Sequence, residues 1–188
     1  MILPITAYGE PVLKEVGKDL DKNYPNLKQL IGDMFDTMYN AKGVGLAAPQ
    51  IGKSLRLFIV DASPFSEDDE YPELKDFIKV FINPKIIEES GEEWFFNEGC
   101  LSIPGIREDV YRKPKIRIQY FDENFKEFDE VYDGIAARIM QHEYDHVEGK
   151  LFVEKINPLR KRMLKGKLSN ISAGIVKVDY KMKFPIKK

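Results

Sequence analysis

His142 and His146 are the only two histidines among 188 residues and stand four apart in Gln141-His142-Glu143-Tyr144-Asp145-His146. That spacing constrains the local fold more than anything else in the chain. On a helix, residues i and i+4 lie one turn apart on one face, so both imidazoles can reach a single cation. Ile135, Ile139, His142 and His146 fall at i, i+4, i+7 and i+11, one inward-facing stripe of an amphipathic helix predicted near residues 135–148. Gly149 supplies a stop for it, and Glu143 would stand beside the metal.

Two imidazoles leave a metal short of ligands, so the third donor decides the class of site. A metzincin would carry a third histidine six residues beyond the second, but that position is Phe152. A thermolysin-type site would use a glutamate well downstream, and none follows Glu154. Cys100, the single cysteine, remains as a strong donor upstream, although alone it reads equally as a buried or a reactive thiol. A Cys-His-His set keeps a position open for water, which suits catalysis. A closed structural site would need a fourth donor such as Glu98, Asp145 or Glu148, and would leave Glu143 without a role.

Other segments have legible periods. Leu27, Leu30, Ile31, Met34 and Met38 predict an amphipathic helix over 25–40, followed by a run of small residues from Gly43 to Gly52 that lets the backbone approach a ligand closely. Strands are predicted at Leu55–Asp61, Val80–Asn83 and Lys85–Glu89. A hairpin is predicted from Lys115–Phe121 and Phe125–Tyr132, turning through Asp122-Glu123-Asn124. The acidic Pro64–Asp76 stretch reads as an exposed loop with few apolar anchors. A second helix is expected at Pro158–Leu168, and alternation from Val176 to Phe184 signals a half-buried strand.

Composition excludes several classes. The chain is long enough to bury a core without disulfides, 32% of its residues are charged, and no apolar run approaches a membrane span. The segment beginning Met1-Ile2-Leu3-Pro4 lacks a secretory pattern, so a reducing cytoplasm is the expected location. The net charge of −2 hides a division: residues 155–188 contain eleven of the 29 basic residues and one of the 31 acidic residues. Such a segment can bind a polyanion or simply keep this end of the chain solvated.

Gly43-Val44-Gly45-Leu46-Ala47-Ala48-Pro49-Gln50, Glu98-Gly99-Cys100-Leu101-Ser102 and Gln141-His142-Glu143-Tyr144-Asp145-His146 together resemble the three signature motifs of the peptide deformylase family, in order and at comparable spacing. The resemblance runs from about Ile2 to Leu168, including Pro11-Val12-Leu13 and Gly149–Phe152, with Val147 where leucine is usual. It implies an α+β fold, antiparallel strands packed around the metal-binding helix; with the charge and alternation read above, the chain is expected to form one catalytic domain over 1–188 with a basic helix and strand-like tail at 155–188. The tail after Gly174 and any role of the acidic stretch lie outside the resemblance.

The implied reaction removes the N-formyl group from the N-terminal formylmethionine of nascent polypeptides and releases formate. The implied ligands are Cys100, His142 and His146, with a water completing the site; Glu143 takes its proton and returns one to the departing amine. The backbone N–H of Leu101 and the side-chain amide of Gln50 match the family's oxyanion donors. Val44 and Gly45 match the wall along which the peptide lies extended. Phe96, Glu98, Gly99, Arg107, Ile135, Arg138 and Ile139 match the methionine pocket, Ile135 and Ile139 being equally expected as plain core, and Glu98 with Arg107 as an ion pair.

The implied cofactor is one Fe²⁺ per chain, replaceable by Zn²⁺ or Ni²⁺ in purified protein. The basic Arg160–Lys167 segment suggests contact with ribosomal RNA near emerging chains, with no membrane partner. A non-catalytic metal-binding homologue would be expected to lack Glu143 or Gln50, and both are present. A general metallopeptidase would instead cleave unformylated internal peptide bonds.

Overall fold

The structure, a computed structural model, describes residues 1–67 and 70–185. Along the chain run β1 (Ile5–Thr6), α1 (Leu27–Asn40), β2 (Gly45–Ala47), β3 (Leu57–Asp61), β4 (Ile78–Ser90), β5 (Trp94–Cys100), β6 (Ile103–Arg112), β7 (Lys115–Phe121), β8 (Glu127–Asp133), α2 (Gly134–Val147), α3 (Pro158–Ser172) and β9 (Met182–Lys183). A five-stranded antiparallel sheet has the order β2-β3-β4-β7-β8, β5 and β6 form a separate hairpin, and β1 pairs with β9 in parallel. The architecture is α+β, as the motifs imply.

β3 explains the layering. Its residues are buried on both faces: Leu57 and Ile59 join Leu30, Met34 and Met38 of α1, while Phe58 and Val60 join Ile135, Ala136 and Met140 of α2. Successive side chains of a strand point to opposite faces, so the two helices sandwich the sheet. A third cluster joins the hairpin to α3 through Ile103, Ile106, Val110, Leu164, Leu168 and Ile171, with Met182 and Phe184 of the tail packed against it. Among the described residues no helix is long and apolar enough to cross a membrane.

The motif helix starts one residue earlier than its periodicity suggests and ends at Val147. Gly149 follows with φ +70°, and a Cβ there would lie 2.7 Å from the Lys14 carbonyl oxygen, so conformation and space both require glycine. α3 runs four residues beyond its predicted end, with the Asn157 side chain accepting a hydrogen bond from the Leu159 N–H at 2.8 Å.

Four expectations are corrected. The two strands predicted at 80–83 and 85–89 are one strand, β4, with a register shift where Asn83 has φ 50° beside Pro84, which lacks an N–H for the ladder. The hairpin's second strand begins at Glu127, because Asp122 accepts the N–H groups of Asn124 and Lys126 and Phe125 takes φ 58°. Within the acidic stretch, Leu74 is buried and Phe65 and Tyr71 pack on the α2 core, so it is anchored by apolar side chains; Asp68 and Asp69 lie outside the described residues. In the tail, burial alternates from Val176 to Phe184, but only Met182 and Lys183 are paired as strand.

Candidate metal centre and active site

Cys100 ends β5, while His142 and His146 face it from α2. One donor atom from each lies within 4.8 Å of the other two, and the Cys100 Sγ to His146 Nε2 distance is 3.4 Å. A thiolate and two imidazole nitrogens converging so closely suit a divalent transition metal such as iron, zinc or nickel. Burial opposes a proton on His142, but Cys100 and Glu98 outweigh it and raise the imidazole to about 10. The Glu98 carboxylate behind His142 would likewise favour a cation in the proton's place. Burial and the charge of His142 push His146 well below the usual histidine range, leaving its lone pair free.

Behind the ligands lies a buried ionic cluster. Glu98 Oε1 accepts from His142 Nδ1 at 2.8 Å and from Arg112 Nη2 at 2.9 Å; Oε2 accepts from Arg112 Nε at 2.8 Å and Arg138 Nη1 at 2.9 Å. Arg112 also donates to Asp145 at 2.7 Å. Burial alone would raise the Glu98 carboxyl, but the hydrogen bonds from His142 and Arg112 hold it well below the usual carboxylate range. With Nδ1 held by Glu98, His142 has Nε2 free to face the metal position.

Glu143 is 4% exposed, and its Oε2 has no hydrogen-bond partner among the described residues. Burial pushes its carboxyl up to about 7, with the negative charges of Glu98 and Asp145 adding and the positive charges of His142 and Arg112 opposing. An ionisable group poised near neutrality in a cleft is suited to exchanging protons. Gly45 of β2 makes room for it: a Cβ at Gly45 would lie 2.5 Å from Glu143 Oε1.

Gln50 sits in a short 3-10 turn after β2. Its Oε1 accepts from the Ala47 N–H at 2.9 Å, which turns Nε2 toward Ser102 Oγ at 3.3 Å and Cys100 Sγ at 3.5 Å. Leu101 and Ser102 form the two-residue turn between β5 and β6, and the Leu101 N–H has no protein acceptor among the described residues. Around this centre opens a cleft of about 560 Å³, bordered by Val44, Gly45, Gln50, Phe96, Glu98, Gly99, Cys100, Leu101, Arg107, Arg138, Ile139, His142 and Glu143. His146 lies deeper, 1% exposed.

Two sequence expectations have different placements. Ile135 is buried in the core shared by α2 and the sheet and does not border the cleft. It stands one turn before Ile139, where the sheet covers the helix. Arg107 does not pair with Glu98 but donates to the side chain and carbonyl of Asn97 at 2.9 and 2.6 Å, while Arg112 and Arg138 take Glu98. Sequence reasoning missed Arg112 and Ser102 as well as the tail residues Val178 and Tyr180, of which the last two border the cleft; Asp145, weighed there only as a fourth metal donor, instead accepts from Arg112. No local signal marks Arg112, because Glu108 and Arg112 themselves interrupt the apolar alternation of β6.

A family described as polypeptide deformylase matches residues 2–162. The chain is 60% identical to a peptide deformylase of Christiangramia forsetii, covering 98% of this chain and 97% of that protein. It is 55% identical to one of Flavobacterium psychrophilum over the whole of both chains. Among solved structures, a peptide deformylase from Legionella pneumophila superposes with a TM-score of 0.80 at 38% identity, covering 93% of this chain and 98% of that one.

Proposed function

The chain belongs to the polypeptide deformylase family, and we propose from that membership how its residues remove the N-formyl group of a nascent polypeptide, an enzymatic reaction that releases formate. The carrying observation is the convergence of Cys100, His142 and His146 within 4.8 Å beside the buried carboxyl of Glu143. These three side chains hold the metal, one ion per chain, with Fe²⁺ as the native occupant and Zn²⁺ or Ni²⁺ able to replace it. When bound, the cation supplies Lewis acidity that polarises an oxygen and brings a water's pKa toward neutrality.

Glu143, raised to about 7, accepts the proton of the attacking water and delivers one to the departing amine. Gln50 Nε2 and the Leu101 N–H are the donors aimed at the oxygen that becomes negative on the formyl carbon. β2 is the edge strand of its sheet, so an extended peptide can lie along Val44 and Gly45. Phe96, Gly99, Arg107, Arg138 and Ile139 form the methionine pocket, and Glu98 acts through His142 and the two arginines. Residues 1–188 work as one catalytic domain, acting in the cytoplasm, with 155–188 as its basic helix and tail.

In α3, Lys161, Arg162, Lys165 and Lys167 are exposed, whereas Arg160 is bound to Glu108 at 2.7 Å. The exposed four are the contact for ribosomal RNA. Truncation would remove the core residues Leu164, Leu168 and Ile171, so the test is replacement of Lys161, Arg162, Lys165 and Lys167 by glutamate in the full chain. Salt-dependent ribosome co-sedimentation should be lost, and unchanged co-sedimentation would refute the contact.

The reaction is tested by formate release from formyl-Met-Ala-Ser with anaerobically prepared wild type and Glu143→Ala, and bound metal is measured in both. Release by the wild type, lost in the variant with metal retained, is expected. A metallated wild type without release would overturn the reading.

A further inference from the structure

The tail beyond α3 lies outside the residues matched by the family, yet it returns to the active site. Tyr180 donates a hydrogen bond from its hydroxyl to the Leu101 carbonyl at 2.8 Å, and Val178 and Tyr180 border the cleft. The approach is built into the fold. β9 pairs in parallel with β1, where the N–H groups of Ile5 and Ala7 donate to the carbonyls of Lys181 and Lys183, each at 2.8 Å. The same N-terminal segment also holds the other turn residue, since the Tyr8 N–H donates to the Ser102 carbonyl at 2.9 Å.

A two-residue hairpin turn leaves peptide groups without ladder partners, and an unrestrained turn can rotate about its flanking bonds. Here both turn carbonyls are taken: Leu101 by Tyr180 and Ser102 by Tyr8. The Ser102 hydroxyl is in turn held by Gln50 Nε2 at 3.3 Å. With these groups pinned, the Leu101 N–H is left pointing without a protein acceptor, as an oxyanion donor must be.

We propose that Tyr180 is a positioning residue for the reaction, its hydroxyl fixing the Leu101–Ser102 turn so that the Leu101 N–H is held ready for the developing oxyanion. The inference rests on the deformylase reading for the role of that N–H, while the anchoring itself is a property of the chain. The tail is thereby a working part of the site. The Tyr180 hydroxyl is bonded to the Leu101 carbonyl, so its effect is transmitted through the turn.

Tyr180→Phe removes the hydroxyl and keeps the ring packing. On formyl-Met-Ala-Ser, kcat should fall about 5- to 20-fold, between the loss of one neutral hydrogen bond and the loss of a whole oxyanion donor, with KM within about twofold and metal content unchanged. Amide hydrogen exchange in the Leu101–Ile103 segment should quicken, while α1 exchanges as in the wild type. Unchanged kcat, unchanged exchange in the turn, or a fall in activity that tracks lost metal would each overturn the proposal. A wild type that releases no formate would instead count against the deformylase reading, and the exchange comparison would still decide whether Tyr180 holds the turn.

Discussion

Gly45→Ala is the sharpest perturbation the structure offers, because it adds one methyl group and touches one functional side chain. The new Cβ would stand 2.5 Å from Glu143 Oε1 and 2.8 Å from its Cδ and Cγ. Ordinary contact begins near 3.4 Å, so the carboxyl group must retreat by about 0.9 Å. Little room exists, since β2 and α2 pack directly on each other and Glu143 is buried. A misplacement of about 1 Å at a reacting group can cost about 100-fold in rate. Stability should fall by only about 1–3 kcal/mol, the usual cost of one methyl too many in a packed interior.

The assay is formate release at substrate saturation, with metal content and thermal melting measured on the same samples. kcat is expected to drop about 100-fold while metal is retained, because none of the three ligands lies on β2. Gly32→Ala is the control: it adds the same methyl in α1 where no atom lies within 4 Å, and it should stabilise by about 0.5–1 kcal/mol without changing kcat. A Gly45→Ala enzyme within twofold of wild-type kcat would refute the argument that Gly45 sets the position of Glu143.

Arg112→Met should destabilise by about 3–5 kcal/mol in urea unfolding, because Glu98 and Asp145 would be left as buried carboxylates without their shared cation; Lys14→Ala, breaking the exposed pair with Glu154, should cost under about 1 kcal/mol. Removing metal with a chelator should lower the melting temperature and abolish formate release, both restored by Fe²⁺ under anaerobic conditions; a melting temperature indifferent to metal would argue against the three-residue site. Asn157→Ala should cost about 1 kcal/mol by removing the α3 cap, read by thermal unfolding, with kcat unaffected.

What was legible in the chain was local. The α2 stripe could be read because one period carried both the apolar face and two ligands, and β3 because a run buried on both faces is apolar throughout. The β5–β6 hairpin could not be read this way. The buried positions of β6 include Glu108 and Arg112 beside Ile106 and Val110, while Phe95 and Tyr111 are turned outward and exposed. The apolar alternation is therefore broken on both strands by residues that serve the site or the surface. The tail was legible in its alternation but not in its partner, because β1 lies at the opposite end of the sequence and no local signal names a strand so distant. The nonlocal acid–base pairs of Glu98, Arg112 and Asp145 escaped for the same reason.

That buried cluster is best understood through geometry. Buried ion pairs contribute little net stability over well-packed apolar residues, because each charge must first be stripped of water. Glu98, however, lies two residues before Cys100 on β5, and it binds the ring of His142 on α2. Arg112, reaching both Glu98 and Asp145, ties the hairpin to the motif helix. A donor from a strand and two from a helix are thus brought into one register by charged hydrogen bonds, which are directional, where apolar packing would leave the hairpin freer to slide. His142 is oriented by such a bond, whereas His146 Nδ1 has no hydrogen-bond partner among the described residues, and its ring is set by packing and by the contact of Nε2 with Cys100 Sγ at 3.4 Å. The two imidazoles therefore depend on different parts of the fold: His142 on the ionic cluster behind it, His146 on the close packing of the helix that carries it.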